Sequence, residues 1–249
     1  MTTTTTHEDH EAPAAAGALS LGREMQPELL DLFCGAGGAA QGYIDAGFKV
    51  TGVDIAPQPD YPGTFIQGDA IAYLAAHGHK FAARHASPPC QASSALTKGT
   101  NKGKEYLNLI PATRALLALF DGPNVIENVQ GSDLRRDLTL CGEMFGLGVI
   151  RHRYFELSGF PFLPAEHRPH RGRVAGWRHG EWFDGPHFAV YGEGGGKGTV
   201  AQWQEAMGMH WTDNRKSIAE AIPPAYTRFI GGQIMAYLES HQAIKELAA

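Results

Sequence analysis

Between residues 28 and 129, short apolar runs alternate with helix-like segments, and that rhythm decides the fold class. The runs are LLDLF (29–33), KVTGVD (49–54), FIQGD (65–69), FAARHAS (81–87) and NVIENV (124–129), with helix-like stretches at 37–46, 70–77 and 106–120. Strands alternating with helices at this spacing are βαβ units, which form a parallel sheet covered on both faces. The expected class is α/β, with helices on both sides of a doubly wound sheet. Residues 156–212 break the rhythm with Pro, Gly, His, Arg and Trp, including the glycine run EGGGKG at 193–198. A closing amphipathic helix is expected near 224–239, after IPPAY. The chain thus divides into a low-complexity tail (1–27) expected to be disordered, an α/β domain (28–155), an irregular insertion (156–212) and a returning C-terminal segment (213–249).

Composition narrows the class further. At 249 residues, with 43% hydrophobic and 19% charged residues, the chain reads as one ordinary globular domain. No apolar run approaches the roughly 18 residues of a membrane span, and the N-terminal stretch is not a signal peptide. Three widely spaced cysteines (Cys34, Cys90, Cys141) make neither a disulfide framework nor a zinc pattern, so a reducing cytoplasm is expected. The net charge of −5 is unevenly spread: residues 151–180 carry six arginines against Glu156 and Glu166. That modest basic patch is either a solvated face or a nucleic-acid footprint.

The motifs that carry chemistry fall at the ends of the expected strands. DLFCGAGGAAQGY (31–43) leaves the first strand and opens the first helix. Gly35, Gly37 and Gly38 permit a tight turn and close approach to a ligand at a helix N-terminus. A plain strand-to-helix turn, a nicotinamide or flavin site and a nucleoside-bearing cofactor such as S-adenosylmethionine all fit that string. Asp54 and Asp69 close the next two strands, where a carboxylate either binds ribose or adenine or caps a helix. Cys90 follows the fourth strand in SPPCQ (87–91), a loop stiffened by Pro88 and Pro89. A free thiol is usually a buried structural residue, but one on such a loop at the ligand edge is presented. Glu127 ends the fifth strand in ENV, and a carboxylate there is costly unless paired or used. Arg151 and Arg153, in RHRYF, are spaced to share one strand face.

In that order, DLFCGAGG, SPPCQ, ENV and RHRYF resemble the motifs of the DNA (cytosine-5) methyltransferases. The likeness covers roughly residues 29–155 and resumes at AIPPAYTRFIGGQI (221–234); LCGEMFGL (140–147) is similar to a segment of phage and prophage members. The resemblance implies a Rossmann-like S-adenosylmethionine-dependent methyltransferase sheet plus a small target-recognition region, possessing no attached nuclease. It implies catalytic roles for Cys90 as nucleophile, Glu127 at the cytosine N3, Arg153 at O2 and Arg151 in support. Phe33, Gly35, Gly37, Asp54, Ile55 and Asp69 would hold S-adenosylmethionine. Residues 91–106 match a loop closing over the flipped base, with Lys98, Lys102 and Lys104 as phosphate contacts or solvated lysines. Where many members carry a Gly-Asn-Ser-Val string, this chain has IPPAYTRFIGG, so Tyr226 or Thr227 is expected to supply a hydroxyl to the cofactor.

Residues 156–212 are short for a target-recognition region, which points to a short recognition sequence or a helping partner. Arg168, Arg171 and Arg173 are the residues expected to touch DNA. His152, His167, His170 and His179 have no cysteine near them in sequence, so no metal is expected. The expected partner is double-stranded DNA, and the expected state a monomer. Competing readings are an RNA-directed enzyme of the same chemistry, a silent DNA-binding relative, and a nicotinamide oxidoreductase. The last leaves SPPCQ and ENV unexplained.

Overall fold

The computed structural model describes residues 26–89, 107–179, 181–191 and 198–248. Residues 1–25 of the expected tail lie outside the described residues, as do Cys90, Lys98, Lys102 and the rest of the 91–106 loop. Strands β1 (Glu28–Leu32), β2 (Lys49–Asp54), β3 (Thr64–Gln67), β4 (Ala83–Ala86) and β5 (Asn124–Val129) fall on the five apolar runs. Helices α1 (Gly38–Asp45), α2 (Ala70–His77) and α3 (Ile110–Leu117) lie between them. Two further strands, β6 (Leu138–Leu140) and β7 (Arg153–Ser158), complete a seven-stranded sheet in the order β3-β2-β1-β4-β5-β7-β6. The first five run parallel, and β7 is antiparallel to both β5 and β6.

This order sets the position of the site. The chain winds outward from β1 to β2 and β3, then returns to lay β4 and β5 on the other side. The reversal between β1 and β4 opens a crevice at the carboxyl ends of those strands, where open α/β sheets bind ligands. The glycine loop leaves β1 there, and the Pro-Pro loop leaves β4 beside it.

Alternation along the strands produces two apolar layers. Leu29 and Val50 face α1 and a long C-terminal helix, α6 (Pro224–Leu247), together with Tyr43, Tyr226, Ile230 and Ile234. Leu30, Leu32 and Val53 face α2 and α3, with Leu74, Ile110 and Leu117. The helices therefore cover both faces, as the sequence pattern requires. Helix α6 runs eight residues past the expected end at 239. Among the described residues, no helix is long and apolar enough to cross a membrane.

The insertion is less irregular than its composition indicates. It contains a separate hairpin of β8 (Gly176–Arg178) and β9 (Glu181–Phe183), and a helix α4 (Val200–Met207). Helix α4 starts with a capping box: Gln202 N–H donates to Thr199 Oγ1 (3.2 Å), and Thr199 N–H donates to Gln202 Oε1 (2.8 Å). It buries Trp203 and Met207 in a third apolar cluster with Val149, Val190 and, from α5 (Arg215–Glu220), Ile218.

Helices α1 and α6 approach so closely that a Cβ on Gly42 would collide with the Pro224 carbonyl and the Thr227 hydroxyl. Gly232, exposed in the interior of α6, has nothing within 4 Å of its added Cβ. Gly42→Ala should therefore cost about 2 kcal/mol or more, because backbone must shift. Gly232→Ala should stabilise by roughly 0.5–1 kcal/mol through helix propensity alone. Urea unfolding of both variants measures the contrast; equal effects would contradict this packing.

Candidate active site

The glycine loop is built from left-handed backbone. Phe33, Gly35 and Gly37 have φ of 56°, 49° and 80°, and the first of these is uncommon for a residue with a side chain. Asp54 at the end of β2 holds this turn: Gly35 N–H donates to its Oδ2 (3.0 Å), and Ala56 N–H to its Oδ1 (2.9 Å). A Cβ on Gly35 would meet nothing within 4 Å, so the outer side of the loop is open. On Gly37 it would collide with Pro62, so the inner side is packed. Ile55 is 72% exposed beside that opening, and Phe33 is half-buried. Asp69 caps α2 through Oδ1, which accepts from Ala72 N–H (2.8 Å), while its side chain stays at the surface. Thr227, expected to offer its hydroxyl to the cofactor, is fully buried between α1 and α6, where that hydroxyl reaches the Ala39 (2.8 Å) and Pro224 (3.2 Å) carbonyls. Tyr226 is likewise buried, donating to the Arg151 carbonyl (2.5 Å).

The other wall of the crevice centres on Glu127. This carboxylate is 5% exposed at the end of β5, and Arg153 Nε lies 2.8 Å from its Oε1. Burial raises its pKa, and Arg153, Arg151 and a hydrogen bond from Ser87 pull against that rise. Asn128, the next residue, donates from Nδ2 to the Pro88 carbonyl (2.8 Å), tying the ENV strand to the Pro-Pro loop. Arg151 lies just before β7 rather than within it, and its guanidinium donates to the Val190 and Ala219 carbonyls (both 2.7 Å). It thereby anchors the insertion while adding positive potential near Glu127.

Sequence reasoning missed three participants: His85, Ser87 and Asn128. His85 is fully buried in β4, between the Tyr43 hydroxyl at Nδ1 (3.0 Å) and Ser87 Oγ at Nε2 (2.9 Å). Tyr43, His85, Ser87 and Glu127 thus form a hydrogen-bonded chain under the crevice. The signal was the polar string HAS at the end of an otherwise buried strand.

Arg168, Arg171 and Arg173 sit at the surface of the insertion. Arg168 pairs with Glu166 (3.3 Å) and is largely exposed. Arg171 donates to Glu143 Oε1 through its backbone N–H (2.9 Å) and Nε (3.4 Å). Arg173 donates to the Asp184 carbonyl (2.8 Å) and stacks on Phe183. A cleft of about 350 Å³ opens between these loops and the end of β5, lined by Val129, Arg151, Arg153, Phe188 and Tyr191 among others.

Three of the four histidines lie near a cysteine in space, though not in sequence. His152, His167 and His170 converge on Cys141, with their ligand atoms all within 4.8 Å of one another. The β6–β7 register explains the meeting: Leu140 pairs with Arg153, so the next residue out, Cys141, arrives beside His152.

No protein-family model matches the sequence, and no curated protein matches it. Solved structures do. The Dnmt2 methyltransferase of S. pombe aligns over 86% of this chain and 99% of its own, with 14% identity and a TM-score of 0.58. The methyltransferase EhMeth of Entamoeba histolytica aligns over 88% and 99%, with 13% identity and a TM-score of 0.57. A candidate DNA modification methyltransferase encoded within an E. coli prophage is 21% identical over 53% of this chain and 46% of its own, with a TM-score of 0.40. The aligned part therefore spans about half of that protein. The fold is the Rossmann-like sheet of the S. pombe and Entamoeba histolytica methyltransferases.

The buried chain carries a pH signature. Burial pushes the His85 pKa from 6.5 down to about 3, so the folded protein excludes a proton that the unfolded chain accepts. Stability from this group is complete above pH 6.5 and falls as pH drops towards 3. Between pH 7 and pH 5 the loss should be roughly 2 kcal/mol. Denaturant unfolding of wild type and His85→Gln at both pH values checks it: the acid-induced loss should shrink by that amount in the variant. An unchanged loss would contradict the assignment.

Proposed function

We propose that this protein is an S-adenosylmethionine-dependent DNA (cytosine-5) methyltransferase. The observation that carries the reading is the buried Glu127–Arg153 pair, bound through Ser87 and Asn128 to the strand end and loop that lead into Cys90. A paired carboxylate at the crevice, next in space to the run that leads to Cys90, suits attack on an electron-poor ring.

S-adenosylmethionine would supply the methyl group, and the open side of the glycine loop fits a nucleoside. Phe33, Gly35, Gly37, Asp54, Ile55 and Asp69 would hold it, with Asp54 shaping the loop as well as accepting from ribose. The Cys90 thiolate adds to C6 of cytosine, which makes C5 nucleophilic. Glu127, whose burial favours the protonated form, donates to N3 as charge builds on the ring. Arg153 donates to O2 and orients Glu127. Once C5 is methylated, water takes its proton, the freed electron pair re-forms the C5–C6 double bond and expels the Cys90 thiolate, and N3 returns its proton to Glu127. These atoms are unreachable in a stacked duplex, so the base must be flipped out. Exposed Arg168, Arg171 and Arg173, with Lys98 and Lys102 from the 91–106 loop, would contact the DNA backbone and base edges.

Transfer of tritium from labelled S-adenosylmethionine to duplex DNA, with transfer RNA in parallel, tests the reading. Cys90→Ser should abolish transfer while leaving cofactor affinity unchanged. Glu127→Gln should slow it by about 10²–10⁴-fold, the usual share of acid–base catalysis. Asp54→Ala should weaken cofactor binding by about 1.5–3 kcal/mol, the value of a charged hydrogen bond. Label appearing only in RNA would overturn the DNA assignment, and full activity of Cys90→Ser would overturn the mechanism.

A further inference from the structure

We infer that Cys141, His152, His167 and His170 form a structural zinc site that fastens the insertion to the sheet. The four side chains offer one thiol and three imidazole nitrogens within 4.8 Å of one another. In a tetrahedral zinc site, bond lengths near 2.0–2.3 Å place ligand atoms about 3.3–3.6 Å apart, so small ring rotations suffice. His152 Nε2 and His167 Nε2 already face each other at 2.9 Å. The three rings are packed with centroids 4.9–5.1 Å apart.

Two independent features point to a metal rather than a chance cluster. His170 directs Nδ1 at Glu143 Oε2 (2.7 Å), which leaves Nε2 for the centre of the group. A carboxylate on the far nitrogen is the usual partner of a metal-bound histidine, where it fixes the tautomer and ring orientation. Glu143 is itself held by the Arg171 backbone N–H (2.9 Å), so the orienting group is anchored. The Cys141 sulfur is fully buried, and the backbone N–H groups of Gly142, Glu143 and Arg151 point at it. Such amides offset part of the cost of a thiolate ligand, which burial by itself disfavours.

One thiolate and three imidazoles close a four-coordinate shell, with no position left for water or substrate. That composition favours zinc over magnesium or calcium and marks a structural rather than a catalytic site. The location gives it a purpose. Cys141 follows β6 and His152 stands between Arg151 and Arg153, whereas His167 and His170 lie in a stretch, 161–170, without helix or strand. Metal would hold that stretch against the strand pair that carries the crevice arginine.

The test reads metal directly and is independent of methyl transfer, so it stands apart from the proposed reaction. Untagged full-length protein, purified without chelator, should contain about one zinc per chain by elemental analysis. After chelator treatment, Co²⁺ should restore a tetrahedral absorption spectrum with a near-ultraviolet thiolate-to-cobalt band. Cys141→Ser should lose that band. His167→Ala, at an exposed position that spares the core, should drop metal to well below stoichiometric. Glu143→Gln should weaken Co²⁺ binding by about 10–100-fold, as second-shell changes do. His179→Ala, outside the cluster, should change nothing. Metal-free protein that gives no Co²⁺ spectrum would overturn the inference. So would a spectrum indifferent to Cys141→Ser, or metal content indifferent to His167→Ala.

Discussion

A carboxylate buried at the end of a parallel strand is the constraint around which the crevice is arranged. An unpaired Glu127 would cost several kcal/mol in that position. Each neighbouring element contributes to lowering the cost: β7 brings Arg153, the residue after β4 is Ser87, and the approach to β7 adds the field of Arg151. The compensation is incomplete, since burial still raises the pKa. A group held this close to balance, and paired at the open edge of a sheet, is suited to holding or giving a proton. Removing any partner would disturb the loop as well as the charge, because Asn128 and Ser87 belong to the same hydrogen-bonded unit as the Pro-Pro turn.

The reversal at β7 organises the rest. Had the last strands continued the parallel winding, a crossover would separate β5 from its neighbour by a dozen residues or more. The antiparallel pairing instead sets Val129 opposite Arg153 and Leu140 opposite Arg153 on the other edge. One strand start therefore serves three tasks. Arg153 pairs with Glu127, His152 meets Cys141, and Arg151 donates into carbonyls of the insertion and the α5 end. The crevice and the insertion share a mechanical origin.

The five parallel strands were legible because buried strands are near-continuous apolar runs, and Glu127 stood out as a charge inside one. The helices on both faces followed from the alternation. Strand β6 is three residues long and has no periodicity to read. Helix α4 announced itself only by the Thr199–Gln202 capping box within a Gly-rich setting. The cysteine–histidine cluster was hidden for a stronger reason: Cys141 and His152 are eleven positions apart, and only the β6–β7 register brings them together. The burial of Thr227 was not legible, because a hydroxyl facing a cofactor and one sealing two helices look alike in sequence. The chain Tyr43–His85–Ser87 crosses from α1 to β4, a contact that no local pattern encodes.

In the proposed mechanism the Cys90 thiol attacks a flipped cytosine beside Glu127. Incubating the protein with S-adenosylmethionine and duplex DNA containing 5-fluorocytosine tests it most directly, because fluorine at C5 cannot leave as a proton does. The expected result is a denaturation-resistant protein–DNA adduct whose modified peptide contains Cys90. Methyl transfer to ordinary DNA with no adduct on the fluorinated duplex, or an adduct mapped to another residue, would contradict it.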